Sequence, residues 1–186
     1  MYNHIKNHPR FIERVFFRNS DEHFIRSTLY NDKAIQYATS HYNEQDQTGV
    51  IFLKLGKAVC GHDGIVHGGL TAALIDDFMG EIFYSVAKRQ YYGFTAYLKV
   101  DYKSPIPHDI PLAVCSKISR HEGRKFWIYS EVRDLQGSKH NASKNGFDEL
   151  FDSSGTVYAT GEALYVVPKA VWDSYQAMIA SATSDK

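Results

Sequence analysis

Residues 64–86, GIVHGGLTAALIDDFMGEIFYSV, decide the fold. A glycine-bearing turn opens into a long apolar run, with Leu70, Ala73, Leu74, Ile75, Phe78, Met79, Ile82, Phe83 and Val86 at helical spacing. These positions cover more than a narrow stripe, so residues 68–87 read as a helix buried on most sides. Asp76 and Asp77 interrupt it in the middle. A carboxyl left without a partner there costs on the order of 1–3 kcal/mol, so each acid has to be paired or used.

Beyond the helix the pattern is that of sheet. Strands are expected at 94–103, 111–120, 125–135 and 156–167, with Leu112, Val114 and Ile118 at even spacing in the second. His121-Glu122-Gly123 reads as a hairpin turn, and Pro168 ends the last strand before a terminal helix at 169–182. Residues 137–155 form a polar insertion, long enough to be either mobile or a lid. Before the helix, a strand pair is expected at 35–42 and 49–55, then a glycine-rich loop at 56–66. A short helix is expected at 21–30. Residues 1–20 are amphipathic, with Arg10, Arg14 and Arg18 spaced by four; they read either as a packed helix or as a mitochondrial targeting segment.

One strand pair, one greasy helix and four strands in meander order give an α+β chain. Its antiparallel sheet can bury that helix only by curling around it, the hotdog arrangement. The chain divides into an N-terminal helical extension, 1–34, and a hotdog domain, 35–186, which ends in the C-terminal helix.

At 186 residues the chain is long enough for one sizeable core. Lys plus Arg and Asp plus Glu both number 21, so no global field draws it to nucleic acid or to a membrane surface. No run approaches the roughly 18 apolar residues of a transmembrane span. Thirteen Tyr and eleven Phe suit a sheet-rich fold. Cys60 and Cys115 show no metal or redox spacing, which suits a reducing, intracellular setting in cytoplasm or mitochondrion. His62 and His67 lack a third ligand at metal spacing, and no metal is expected.

The turn and the acids carry the chemistry. Gly68 and Gly69 at a helix start leave amides without intrahelical partners at the electropositive pole. They could donate to a carbonyl oxygen that becomes an oxyanion, each good donor being worth roughly 3–4 kcal/mol, or they could simply let the helix pack closely. Asp76 lies eight residues beyond Gly68, about 12 Å along the axis, so both could act on one substrate only across two subunits. That argues for at least a dimer, with a tetramer also open. Asp77 points about 100° away from Asp76 and serves either as a solvent-facing acid or as a support.

His67-Gly68-Gly69, the run through Ile75 to Asp76, and the strand Thr95–Pro105 together resemble the His-Gly-Gly thioesterases of the hotdog superfamily. The PaaI-like acyl-CoA hydrolases and the THEM-type acyl-CoA thioesterases belong there. The resemblance covers about residues 49–167. It implies that Asp76 activates water at a thioester carbonyl, or attacks it directly. It implies further that the Gly68 amide polarises that carbonyl, that His67 shapes the turn and that Thr95 helps to hold the water. Coenzyme A would be part of the substrate, with no separate cofactor. The family often has Asn six residues before the His; here Gly61 stands in that place.

An acyl-CoA thioesterase for medium or long fatty chains is therefore expected, with substrate-binding candidates Gly69, Phe78, Met79, Phe83, Arg124 and Lys125. The three large apolar residues could line an acyl channel or fill the core. Arg124 and Lys125, with Arg120, could meet the phosphates of CoA or form a solvated hairpin end. The alternative is a non-catalytic acyl-CoA-binding regulator, for which a buried base would have no use. A hydratase is disfavoured, because Asp63 and His67 are separated by three residues where that pattern has four.

Overall fold

The structure, a computed structural model, describes residues 12–14, 22–87, 90–135 and 155–184. Most of the expected N-terminal helix, and the insertion at 137–155 except for Gly155, lie outside the described residues. The strands are β1 (Ile12–Arg14), β2 (Ile35–Asn43), β3 (Thr48–Leu55), β4 (Cys60–His62), β5 (Ile65–Val66), β6 (Phe94–Tyr102), β7 (Pro111–Glu122), β8 (Lys125–Asp134) and β9 (Val157–Val166). The helices are α1 (Gly68–Val86) and α2 (Lys169–Ser184). Seven strands form one antiparallel sheet in the order β1-β2-β3-β7-β8-β9-β6, and β4 and β5 make a small ribbon of their own.

Helix α1 lies against the inner face of this sheet. Ile75, Met79 and Phe83 are fully enclosed, and Leu70, Leu74, Phe78 and Ile82 are buried beside them. Phe83 stacks on Tyr165 and meets Phe126 edge-on at 5.0 Å. Two glycines in the sheet allow this approach. A Cβ at Gly161 would stand 2.6 Å from Ile75 Cγ2, and one at Gly49 would stand 2.4 Å from Ile82 Cδ1. The hotdog arrangement expected from the sequence is the one observed.

Three local expectations need correction. Ile12–Arg14, expected as helix, is a strand that pairs with Ser40–Tyr42 of β2, because the exposed edge of β2 offers backbone partners that local amphipathicity does not report. The helix expected at 21–30 is a single π-type turn, Phe24–Thr28. The meander is also incomplete. Strand β6 does not neighbour β7 but pairs with β9 at the far edge of the sheet. The connection between β6 and β7 crosses the end of the sheet, where the Val66 amide donates to Ile106 O (2.9 Å) and the Asp109 amide to Leu55 O (2.7 Å). This carries β7 into place between β3 and β8. Among the described residues no helix is long and apolar enough to cross a membrane.

Candidate active site

His67 caps α1 with its own ring. Its Nδ1 accepts from the Gly69 amide at 2.9 Å, and its carbonyl accepts from the amides of Leu70 (3.0 Å) and Thr71 (3.1 Å). The first-turn donors are thus nearly all engaged. The exception is Gly68, whose amide donates to no atom of the described residues, while its carbonyl accepts from the Tyr102 hydroxyl at 2.9 Å. Of the paired glycines, Gly68 offers the available donor and Gly69 supplies room. His67 leaves no space for a side chain at position 61: a Cβ on Gly61 would come within 2.8 Å of His67 Cδ2. An asparagine there would displace the ring that caps the helix.

Two turns further on, Asp76 is half-buried, facing the junction of β6 and β9. Its Oδ1 accepts from Thr95 Oγ1 at 2.8 Å and from the Tyr165 hydroxyl at 3.0 Å, and Tyr165 also reaches the Asp76 main-chain oxygen at 2.6 Å. Thr95 and Tyr165 are cross-strand partners, so the sheet presents both hydroxyls as one unit. Burial, with the Asp76 carboxylate close by, pushes the Tyr165 phenol well above its ordinary pKa, so it stays a donor. A cleft of about 550 Å³ opens here, with Asp76, Gly80, Tyr84, Tyr92 and Tyr165 in its walls.

Asp77 lines the same cleft but meets the N-terminal strap, residues 22–34. Arg26 Nη2 lies 3.2 Å from Asp77 Oδ2 and 2.6 Å from Glu81 Oε1, and His23 Nε2 is 3.3 Å from Asp77 Oδ1. His23 Nδ1 meanwhile accepts from the Arg26 amide (3.2 Å), capping the π turn. Burial holds the Asp77 pKa above its ordinary value, against the pull of Arg26 and His23. Asp77 is therefore a support that ties the strap to α1.

A model of the thioesterase superfamily matches residues 63–139, the segment that holds the turn, both acids and Thr95. Acyl-coenzyme A thioesterase THEM4 of Xenopus laevis is 30% identical over 126 residues, covering 68% of this chain and 51% of that protein. THEM4 of Rattus norvegicus is 34% identical over 112 residues, covering 60% and 46%. Among solved structures, a thioesterase superfamily protein aligns with a TM-score of 0.55 at 25% identity, over 69% of this chain and 53% of that one. Over residues 63–139 the chain is similar to the thioesterase superfamily. A hypothetical thioesterase of Streptococcus pneumoniae, solved with coenzyme A, shares the fold with a TM-score of 0.53 at 14% identity, over 72% of this chain and 86% of that one. The chain spans about half the length of the THEM4 relatives it matches.

The site residues expected from the sequence divide into four groups. Asp76 and Thr95 stand together at one end of β6, and His67, Gly68 and Gly69 at the other. Phe78, Met79 and Phe83 are enclosed between helix and sheet, the core placement of the two that sequence left open. Arg124 lies in the β7–β8 turn and Lys125 opens β8, where it is in register with Val166 and, through it, with Phe94. That is one row from Thr95, although Arg124 Nη1 already donates to Val167 O at 3.0 Å. Arg120 lies over the Trp127 ring, 4.5 Å from its centre. Sequence reasoning missed Tyr165 and Arg26. The alternation Gly161, Ala163, Tyr165 along β9 marks the face that looks toward the helix, but no local pattern names Asp76 as the partner.

Proposed function

We propose that this chain is an acyl-CoA thioesterase that splits fatty acyl-CoA, of medium or long chain, into the free acid and CoA. The observation that carries the reading is the Asp76 carboxylate, held by the hydroxyls of Thr95 and Tyr165 at the mouth of a cleft. Asp76 takes a proton from water as its oxygen attacks the thioester carbonyl. The carbonyl oxygen becomes an oxyanion, and the Gly68 amide donates to it. Collapse breaks the C–S bond, and the CoA sulfur leaves with the proton returned from Asp76. A thioester has weak resonance stabilisation, so one base and one donor suffice. Thr95 holds the carboxylate in line with the water.

Gly68 and Asp76 of one chain are too far apart to share a carbonyl, and they are anchored at opposite ends of β6: Tyr102 bonds Gly68 and Thr95 bonds Asp76. Two β6 strands paired antiparallel bring the Thr95 end of one against the Tyr102 end of its partner. Such pairing sets Asp76 of one protomer facing Gly68 of the other. Strand β6 is suited to this, since it ends the sheet and exposes Phe94, Tyr97 and Tyr102. The working unit is a homodimer of hotdog domains, 35–186, each carrying its own extension, 1–34. An acyl-CoA substrate puts its work inside the cell, in cytoplasm or mitochondrion.

The test is release of free CoA from acyl-CoAs of graded chain length, with Asp76→Asn run beside the unaltered chain. Turnover that disappears in the folded variant supports the reading. Equal turnover in both moves the base elsewhere. Tight binding without turnover in either supports a regulator that only binds acyl-CoA.

A further inference from the structure

We infer that the acyl chain lies in the apolar cleft between the N-terminal strap and the first turn of α1, with Phe24 setting the length it accepts. This rests on the thioesterase reading above. The cleft measures about 400 Å³, and its walls include Phe24, Leu29, Val59, Cys60, Leu70 and the His67 ring. Gly69, without a side chain, also lines it, so the cleft opens one residue from the Gly68 amide that takes the carbonyl. A thioester held at that amide has two arms. One is pantetheine, whose amides and phosphates need hydrogen-bond partners or water; the other is hydrocarbon.

The two clefts along α1 differ in kind. The one beside Asp76 is walled by His23, Asp77, Glu81, Tyr84 and Tyr92, whose charged and hydroxyl groups a hydrocarbon would strip of water. The one beside Gly69 has few polar side-chain atoms, and each methylene moved into it from water strengthens binding about fourfold. The strap gives this cleft a fixed outer wall. Two residues beyond Phe24, the buried Arg26 grips Asp77 and Glu81 on α1, so Phe24 is carried on an anchored turn while 62% of its surface stays open to a ligand. A wall preorganised in this way spends little of the binding energy on ordering itself.

The experiment uses S-alkyl-CoA thioethers of increasing length, which the protein cannot hydrolyse, so that binding is read apart from turnover. Affinity measured by calorimetry is expected to rise about fourfold per methylene and then level off. Cys60 supplies a second readout, since it lines the cleft while Cys115, the other cysteine, is fully enclosed. S-dodecyl-CoA is expected to slow alkylation of Cys60, and free CoA to leave it unchanged. Phe24→Ala is expected to lose about tenfold affinity for S-dodecyl-CoA with none lost for S-methyl-CoA, and Phe24→Trp to level off at a shorter chain. Length-independent binding, or full Cys60 reactivity under saturating S-dodecyl-CoA, overturns the inference. A Phe24→Ala loss equal at all lengths overturns the role of Phe24. Length-dependent binding with no CoA released from any acyl-CoA removes the hydrolase reading and keeps the cleft; CoA release without length dependence does the reverse.

Discussion

The Tyr165 hydroxyl donates to two oxygens of Asp76 at once, the main-chain carbonyl at 2.6 Å and the carboxylate at 3.0 Å. Strand β9 thereby holds both the backbone and the side chain of the proposed base. Asp76→Asn keeps the shape and removes the base, and kcat is expected to fall by about 10²–10⁴-fold with little change in KM. Steady-state kinetics on an unchanged circular dichroism spectrum checks this.

Tyr165→Phe and Thr95→Val each remove one donor from the carboxylate at nearly constant volume. Each is expected to lower kcat roughly tenfold, about the worth of one net hydrogen bond. Because both hydroxyls serve one oxygen, the double variant is expected to depart from additivity by about 0.5 kcal/mol or more. A double-mutant cycle on kcat/KM measures that coupling, and strict additivity would mean that the two donors act separately.

Arg26→Met is expected to cost about 1–3 kcal/mol of stability, since it leaves the half-buried Asp77 and Glu81 without the cation they share. The pH dependence has a definite sign. Folding holds the Asp77 pKa above its ordinary 3.8, so the folded state binds that proton more tightly than the unfolded one does. The associated stability is complete below 3.8 and is lost as pH rises through the folded value. Without Arg26, which now pulls that value down, the loss runs on to higher pH. Denaturant melts of both proteins from pH 3 upward are expected to diverge increasingly across that window.

Much of the fold is legible in the chain itself. Helix α1 is marked by its apolar spacing and by a glycine turn, β7 and β8 by alternation within each segment, and β2, β3 and β9 as short runs bounded by polar or proline-bearing turns. What escapes is pairing between distant parts. The position of β6 depends on a crossing held by bonds from Val66 and Asp109 to partners far away in sequence, and β1 exists only because β2 has an edge to offer. The site follows the same rule. The turn at His67 and the acid at Asp76 are local signals, whereas Tyr165 is 89 residues from the carboxylate it holds and Arg26 is 51 from Asp77. Periodicity carries no record of such partners.

Gly161→Ala is expected to destabilise the protein by about 1–3 kcal/mol, because the new methyl would stand 2.6 Å from Ile75 Cγ2 and force α1 outward. Thermal melts check it. The same displacement would carry Asp76, the residue after Ile75, away from Thr95, so activity is expected to fall with stability. An alanine that melts normally would mean that helix and strand are less tightly engaged than their separation implies.

Strand β6 leaves a row of backbone donors and acceptors along one side with no strand of the described residues against them, beside three exposed aromatic rings. Such an edge accepts any extended segment that reaches it, correct partner or not. If the homodimer proposed above is the working unit, a chain newly released from synthesis passes through a sticky interval, whose length is set by how soon it meets a second copy. Dilution, which ordinarily protects against aggregation, would then prolong that interval.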